Sequence, residues 1–175
     1  MEGINLYRIE KTFKFPMGHR LSKHKGACFN IHGHNYVVKV GLKSPLLNPN
    51  GMVIDFSALK RNLKPIFDTM DHACMVNKSD SDTMEKLQNL GFKVLVSDFE
   101  PTAEVMSHQL YNVLNIQLEN LRIEAENPAL EIEYVTIYED DGSSATYKKE
   151  EDIANIFQNI LHDEKSKVKF LDKSE

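Results

Sequence analysis

The sequence predicts an α+β fold, a four-stranded antiparallel sheet with two helices on one face. Alternating apolar residues indicate two strands near each end of the domain, over residues 8–15 and 32–43 and then 130–139 and 144–148. Two amphipathic helical patterns lie between these strand pairs. Strands joined by short connections pair in antiparallel, and amphipathic helices bury their apolar stripe against one face of the sheet.

The first strand pair follows from side-chain alternation. The first strand carries charged side chains on one side and apolar ones on the other, namely Ile9, Phe13 and Phe15. The second strand, from His32 to about Lys43, is apolar at even-numbered positions, which are Tyr36, Val38, Val40 and Leu42. A loop rich in Gly, Lys and His joins the two strands.

Capping residues and apolar spacing place the helices. Asp55 is a predicted N-cap for the first helix, and Pro65 is expected to kink that helix. The polar segment 79–98 is predicted to be an insertion with a short helix and an extended stretch. The second long helix begins at Pro101-Thr102, and its apolar periodicity continues to Leu121.

The C-terminal part adds a hairpin and an extension. The Asp141-Gly142 pair is typical of a tight turn between the third and fourth strands. Beyond it, helical spacing predicts one more amphipathic helix with an apolar stripe of Ile153, Ile156, Phe157, Ile160 and Leu161. The predicted organisation is one domain over residues 1–149, followed by a C-terminal helix and charged tail over residues 150–175.

Composition and charge exclude several classes of protein. Of the 175 residues, 41% are hydrophobic and 27% are charged, as in an ordinary globular domain. The net charge is −5 without a long basic run, so nucleic acid is not an expected partner. No apolar run predicts a membrane span and no signal peptide is recognisable. With only two cysteines, Cys28 and Cys74, the chain is expected to be cytoplasmic.

A metal site is predicted where the first two strands meet. His32 and His34 are two residues apart on one strand, so both imidazoles project from the same face. His19 follows the first strand with the parity of its apolar side, and hairpin pairing brings it beside His32. Three neutral imidazoles with an open fourth position are typical of catalytic zinc. For the His-Gly-His tripeptide alone, a polar strand end without metal is the other interpretation.

A second group of residues has the chemistry of proton transfer. Cys28 lies four residues before His32, and a thiol becomes a base when a nearby imidazole lowers its pKa. Asp71 and His72 end the first helix, where the carboxylate can orient the imidazole and the imidazole can relay a proton. The structural alternatives are a small buried cysteine and a simple helix end.

Two carboxylates are candidates for holding a ligand. Glu139 ends the third strand, where a carboxylate can accept two parallel N–H donors from a guanidine-like ring edge. Glu104 lies in the first turn of the second helix, where an acid also complements the helix dipole. A structural role stays open for both.

Six sequence blocks, in order, resemble the 6-pyruvoyl-tetrahydropterin synthase family, and within it the 6-carboxy-tetrahydropterin synthases of queuosine biosynthesis. The blocks cover residues 13–21, 28–36, 53–56, 70–72, 101–104 and 137–139, and the resemblance spans about residues 5–148. It implies a tunnelling fold that assembles into homotrimers and homohexamers. The site residues that it implies are His19, His32 and His34 for zinc, Cys28, Asp71 and His72 for catalysis, and Glu139, Glu104 and Thr102 for the substrate.

The reaction that the resemblance implies starts from 7,8-dihydroneopterin triphosphate. Three residues separate Cys28 from His32, a spacing that favours the product 6-carboxy-5,6,7,8-tetrahydropterin, with release of acetaldehyde and triphosphate. A longer gap is usual in the 6-pyruvoyl branch, which is the alternative. A third branch replaces the cysteine with a nearby glutamate, but no glutamate lies between Lys25 and His34.

Other functions stay open on the residues themselves. A zinc hydratase or hydrolase would use the histidines without needing Cys28. A non-catalytic pterin- or metal-binding module on the same fold would keep Glu139 and would not depend on Cys28. Departures from the family include Pro16-Met17-Gly18 before His19, the longer 79–98 segment and the C-terminal helix. Arg20, Lys23 and Lys25 are cations close enough in sequence to the predicted site to contribute to binding the triphosphate.

Overall fold

The computed structural model describes residues 5–149. Its strands are β1 (Tyr7–His19), β2 (His32–Ser44), β3 (Cys74–Asn77), β4 (Val94–Ser97), β5 (Glu131–Tyr138) and β6 (Ser144–Tyr147). Its α-helices are α1 (Phe56–Met70), α2 (Ser81–Asn89), α3 (Ala103–Ile116) and α4 (Leu118–Ala125). A 3-10 turn, Ala27–Phe29, lies in the loop between β1 and β2. The predicted C-terminal helix lies outside the described residues.

The strands form one six-stranded sheet in the order β4-β3-β1-β2-β5-β6. β2 pairs in antiparallel with β1 and β5, and β6 with β5, whereas β3 is parallel to both β1 and β4. The α+β class is confirmed, but the predicted four-stranded, wholly antiparallel sheet is wrong. β3 and β4 have four residues each, too few to show alternation, and α2 supplies the crossover that parallel pairing requires.

The β1–β2 hairpin carries the positions of greatest interest. β1 is longer than predicted, because Met17 and His19 continue the buried parity of the strand. In this register His19 pairs with His32 and Met17 pairs with His34. The strands approach closely at Gly33, where a Cβ would lie 3.0 Å from the Met17 carbonyl oxygen.

One hydrophobic core lies between the sheet and the helices. Of the apolar stripe predicted for α1, Leu59, Leu63, Phe67 and Met70 are buried, whereas Phe56 is exposed. The Phe13 ring of β1 stacks on the Phe67 ring at a centroid distance of 4.1 Å. Asp55 caps α1 as predicted, since its carboxylate accepts from the N–H groups of Ser57 and Ala58. The helix is continuous through Pro65. Full burial of one Val, Leu, Ile, Phe or Met side chain in this core stabilises the folded state by about 1.5–3 kcal/mol.

The predicted second long helix is two helices. α3 ends at Ile116 and α4 begins at Leu118, because the Gln117 N–H donates to the Leu114 carbonyl three residues back and tightens the turn. Apolar spacing continues across this break, which is why the sequence pattern indicates a single helix. α1, α3 and α4 all contribute buried residues to the core. The prediction of two helices is therefore also wrong. Among residues 5–149, no helix is long and apolar enough to cross a membrane.

Candidate metal centre

The structure brings together the imidazoles of His19, His32 and His34. One nitrogen of each ring lies within 4.8 Å of those of the other two. The ring centroids are 4.4 Å apart for His19 and His32, and 5.2 Å apart from His34 to each of them. His19 and His32 are direct partners in the β1–β2 ladder, and His34 follows on the same face. The strand pairing therefore assembles the cluster.

Carbonyl oxygens fix the tautomers of two of these rings. The Nδ1–H of His19 donates to the Pro101 carbonyl at 2.7 Å, and the Nδ1–H of His32 donates to the Asn30 carbonyl at 2.8 Å. Because a carbonyl oxygen only accepts, Nδ1 carries the proton in the neutral form of both rings, and Nε2 then has the lone pair. Metal-binding histidines are commonly oriented in this way.

His19 is the most buried member of the cluster, at 2% exposure. Burial lowers its pKa, and the imidazoles of His32 and His34 lower it further, against the opposing effects of the Pro101 hydrogen bond and the Glu139 charge. The lowered pKa keeps the ring neutral. Its Nε2 is buried and has no hydrogen-bond partner among the described residues. A buried, unpaired nitrogen facing two other imidazoles fits a metal ligand.

Glu139 lies beside the histidine cluster. Its Oε1 accepts a hydrogen bond of 3.3 Å from the Tyr36 hydroxyl and lies 3.8 Å from the His19 Nε2. Burial, together with the charge and hydrogen bond of Glu139, raises the pKa of Tyr36, so the hydroxyl keeps its proton and acts as a donor. Tyr36 is predicted from the sequence only as an apolar strand residue. Its shared parity with His34 is the signal that places it at the site.

The start of α3 reaches the cluster through Pro101. Thr102 is the N-cap of this helix, and its hydroxyl oxygen accepts from the Val105 N–H at 3.4 Å. Glu104 is exposed in the first turn, where its carboxylate complements the helix dipole. The predicted substrate residues Thr102 and Glu104 thus lie one and three residues after Pro101, whose carbonyl His19 binds, and each also has a structural role.

The pair formed by Asp71 and His72 lies between the C-terminal end of α1 and the start of β3. The His72 Nδ1 is 2.7 Å from the Asp71 Oδ1, and its imidazole is 77% exposed. His72 has a positive φ of 58°, and its N–H donates to the Pro16 carbonyl. It borders an open cleft of about 340 Å³, whose lining also includes Gly18, Asn35 and His34 of the histidine cluster.

Cys28 lies in the 3-10 turn between β1 and β2 and is half-buried. In the part of the chain that is described, no hydrogen bond joins its thiol to Asp71, His72 or the histidine cluster. Burial raises the pKa of the other thiol, Cys74, which disfavours that residue as a base. One chain therefore unites the three histidines with Glu139, and the Asp71–His72 pair has no hydrogen bond to Cys28 among residues 5–149.

The cations suggested for the triphosphate differ in environment. Lys23 and Lys25 are exposed in the loop after β1. The Arg20 guanidinium is instead directed to Asp80, with 3.3 Å between Nε and Oδ2, and donates to the Thr83 hydroxyl at 2.5 Å. Arg20 therefore serves a contact inside the protein.

Known proteins resemble this chain over almost the whole described region. A protein from Aquifex aeolicus named 6-carboxy-5,6,7,8-tetrahydropterin synthase is 32% identical over 165 residues, which cover 82% of this chain and 99% of that protein. The solved structure of Caenorhabditis elegans 6-pyruvoyl tetrahydropterin synthase matches with a TM-score of 0.55 and 28% identity, over 86% of this chain and 100% of that one.

A third likeness supports the fold alone. The crystal structure of an uncharacterised protein from Wolinella succinogenes has a TM-score of 0.66 at 22% identity, over 83% of this chain and 99% of that one.

The sequence profile of the family described as 6-pyruvoyl tetrahydropterin synthase matches residues 8–150. The expected enzyme class, a lyase of the tetrahydropterin synthase type, is confirmed by this match and by the names of the relatives. The chain belongs to the 6-pyruvoyl tetrahydropterin synthase family.

Proposed function

We propose that the chain is a zinc-dependent 6-carboxy-5,6,7,8-tetrahydropterin synthase acting in the cytoplasm, in queuosine biosynthesis. It would convert 7,8-dihydroneopterin triphosphate to 6-carboxy-5,6,7,8-tetrahydropterin, with release of acetaldehyde and triphosphate. The observation that carries this proposal is the cluster of three histidines with the Tyr36–Glu139 pair beside it. The name of the relative from Aquifex aeolicus supports the product.

The histidine cluster suits zinc. His19 is neutral and His32 holds its proton on Nδ1, so both present a nitrogen lone pair, and His34 completes a set of three nitrogen ligands. A zinc ion bound by three neutral imidazoles is a Lewis acid that polarises an oxygen of the substrate side chain. Burial of His19 limits access of water to that side of the site.

Glu139 is the proposed anchor for the pterin ring. Its carboxylate can accept two parallel N–H donors from the 2-amino-pyrimidinone edge. The Tyr36 hydroxyl donates to Oε1 and so holds the carboxylate in place. Because Glu139 lies beside His19, a ring held by the carboxylate would extend its side chain towards the cluster. We include Thr102 and Glu104 as further substrate contacts, since they follow the Pro101 carbonyl that His19 binds.

Cys28 is the proposed base that removes a proton from the substrate side chain. Asp71 would orient His72, which relays the proton with the thiol. Because the His72 imidazole is exposed and, among residues 5–149, has no hydrogen bond to Cys28, we propose that the two act across subunits. This arrangement requires a homo-oligomer, for which we propose a trimer or hexamer.

The second candidate is the 6-pyruvoyl product from the same substrate. The family description and the name of the Caenorhabditis elegans structure favour it. Against it stands the short spacing of three residues between Cys28 and His32. The two reactions share the substrate and the loss of triphosphate, and they differ in whether a carbon–carbon bond is cleaved.

The decisive assay identifies the products by mass after incubation of the purified protein with 7,8-dihydroneopterin triphosphate. Carboxytetrahydropterin with acetaldehyde supports the proposal, whereas pyruvoyl-tetrahydropterin moves the chain to the second candidate. Absence of turnover by the zinc-loaded protein would contradict both. A Cys28→Ala variant should keep its zinc and lose the reaction, and continued turnover would exclude Cys28 as the base.

A further inference from the structure

The polar segment between β3 and α3 contacts the chain next to the histidine cluster. It contains Asp80, Thr83 and Glu100, and their side chains contact the chain just after His19. The family resemblance assigns no role to these residues. The inference below rests on the proposed metal site but not on the identity of the pterin product.

The acceptor of the His19 hydrogen bond lies in a loop that needs support. Pro101 precedes the N-cap of α3, and its carbonyl orients the His19 ring through the contact of 2.7 Å. A displacement of that carbonyl would free the ring to rotate or to change tautomer. The position of Pro101 therefore determines where the Nε2 of His19 points.

Glu100, the residue before Pro101, is attached at three points. Its Oε1 accepts from the Ser22 hydroxyl at 2.7 Å and from the Asn77 amide at 3.1 Å. Its main-chain carbonyl accepts from the Thr102 N–H at 2.8 Å. Asn77 ends β3 and is only 6% exposed, so this anchor is part of the rigid sheet.

The residue that follows His19, Arg20, is held by the same polar segment between β3 and α3. Arg20 forms the ion pair with Asp80, donates to Thr83 and lies over the Phe29 ring at 4.2 Å. The side chains of Arg20 and Asp80 are 19% and 12% exposed, so solvent screens this pair less than a surface pair. The backbone that carries His19 and the carbonyl that orients it are therefore anchored to one structural unit.

We propose that Glu100 is a positioning residue, which holds the Pro101 carbonyl so that His19 presents Nε2 to the metal. The Arg20–Asp80 pair fixes the His19 backbone for the same purpose. Loss of an outer contact of this kind lowers metal affinity by roughly 10- to 100-fold. The polar segment between β3 and α3 thereby acquires a function in the metal site.

The test measures zinc affinity by competition with a chromophoric chelator. Glu100→Ala should weaken binding by roughly 10- to 100-fold. Glu100→Gln should bind zinc as the wild type does, because the amide oxygen keeps both acceptor contacts and the amide nitrogen replaces Oε2, which has no partner among residues 5–149. Glu85→Ala, an exposed change in the same segment, is the matched control.

Two further measurements separate positioning from instability. Leu121→Ala removes a buried side chain of α4 and should lower the unfolding temperature without changing zinc affinity. In the metal-free protein, the NMR signals of the His19 ring nitrogens should show the Nδ1–H tautomer for the wild type and Glu100→Gln, and a mixture for Glu100→Ala. If Glu100→Ala does not fold, Ser22→Ala removes one contact to Glu100 and should give a smaller loss of affinity in the same direction.

The outcomes distinguish this inference from the proposed function. Wild-type zinc affinity and a single His19 tautomer in a folded Glu100→Ala or Ser22→Ala variant would overturn the positioning role alone. A zinc affinity that falls equally in Leu121→Ala would also overturn it. A wild-type protein without zinc binding would contradict the proposed function as well. Failure to form the carboxy product, with zinc affinities as predicted, would contradict only the reaction.

Discussion

The Nδ1–H of His19 donates a hydrogen bond of 2.7 Å to the carbonyl oxygen of Pro101. This contact joins the end of β1 to the start of α3, which are 82 residues apart in the chain. Because it fixes the tautomer of a buried imidazole, it also determines which nitrogen faces His32 and His34. A change at the start of α3 can therefore alter metal binding without touching a ligand.

The first prediction concerns the carboxylate that would hold the pterin. Glu139→Gln removes a charged acceptor, and the KM for 7,8-dihydroneopterin triphosphate should rise by about 10- to 100-fold with zinc content unchanged. Tyr36→Phe keeps the ring and loses the contact to Oε1, so its effect should be smaller, about 5-fold. Steady-state kinetics with metal analysis checks both, and an unchanged KM in Glu139→Gln would exclude the anchoring role.

Gly33 is predicted to be intolerant of a side chain. In Gly33→Ala the new Cβ would lie 3.0 Å from the backbone oxygen of Met17, so the β1–β2 hairpin must shift, at a cost of about 1–3 kcal/mol in the free energy of unfolding. Zinc affinity should fall too, because His32 and His34 flank this residue. Gly142→Ala is the control, since its Cβ would make only an ordinary contact of 3.6 Å. Equal stability of the two variants in denaturant titrations would refute the prediction.

Complementation between inactive variants tests whether the proton-transfer residues act across subunits. Cys28→Ala and His72→Ala should each be inactive. After unfolding and refolding as a mixture, about one quarter of the sites should combine an intact Cys28 with an intact His72 from a neighbour. Recovered turnover is the expected result. A mixture as inactive as its components, with mixed oligomers shown by native mass spectrometry, would place both residues in one subunit.

The pKa of Glu133 predicts how the free energy of unfolding depends on pH. Burial raises the pKa of this carboxyl, but hydrogen bonds and charges from Arg8 and Lys148 outweigh burial, and the folded pKa is lowered. The folded state then binds fewer protons than the unfolded state, so the stabilisation is present above the ordinary glutamate pKa of about 4.3 and is lost as the pH falls through the lowered pKa.

The measurement is the free energy of unfolding between pH 7 and pH 3 for the wild type and Glu133→Gln. The difference between the two proteins should be constant above about pH 5 and should shrink as the pH falls below the ordinary glutamate pKa. Glu85→Gln, exposed in α2, should leave the profile unchanged. A difference that stays constant down to pH 3 would show that the charge of Glu133 does not stabilise the fold.

Much of the histidine site can be predicted from local sequence patterns, because all three histidines lie on the two strands of one hairpin. Strand parity and hairpin pairing are enough to bring His19 to His32 and His34, and Asp55 is recognisable as a helix cap from its position alone. The Tyr36 hydroxyl follows the same parity, but its partner Glu139 is 103 residues away, and no local pattern joins them.

The parts that the sequence does not predict depend on long-range or main-chain contacts. The carbonyl oxygens of Pro101 and Asn30 orient two imidazoles, and every residue has a carbonyl, so no residue type signals them. β3 is stabilised by parallel pairing with the distant strand β1, and β4 by parallel pairing with β3, rather than by their own alternation. The break at Gln117 is missed because the apolar spacing of α3 continues into α4.

Zinc dependence is the centre of this account, and metal analysis combined with turnover tests it most directly. The purified protein should hold one zinc per chain, lose turnover of 7,8-dihydroneopterin triphosphate on chelation and regain it when zinc is returned. His34→Ala should retain neither zinc nor turnover, whereas His24→Ala, in the exposed loop, should retain both. Full turnover by the metal-free protein, or by His34→Ala, would contradict the account.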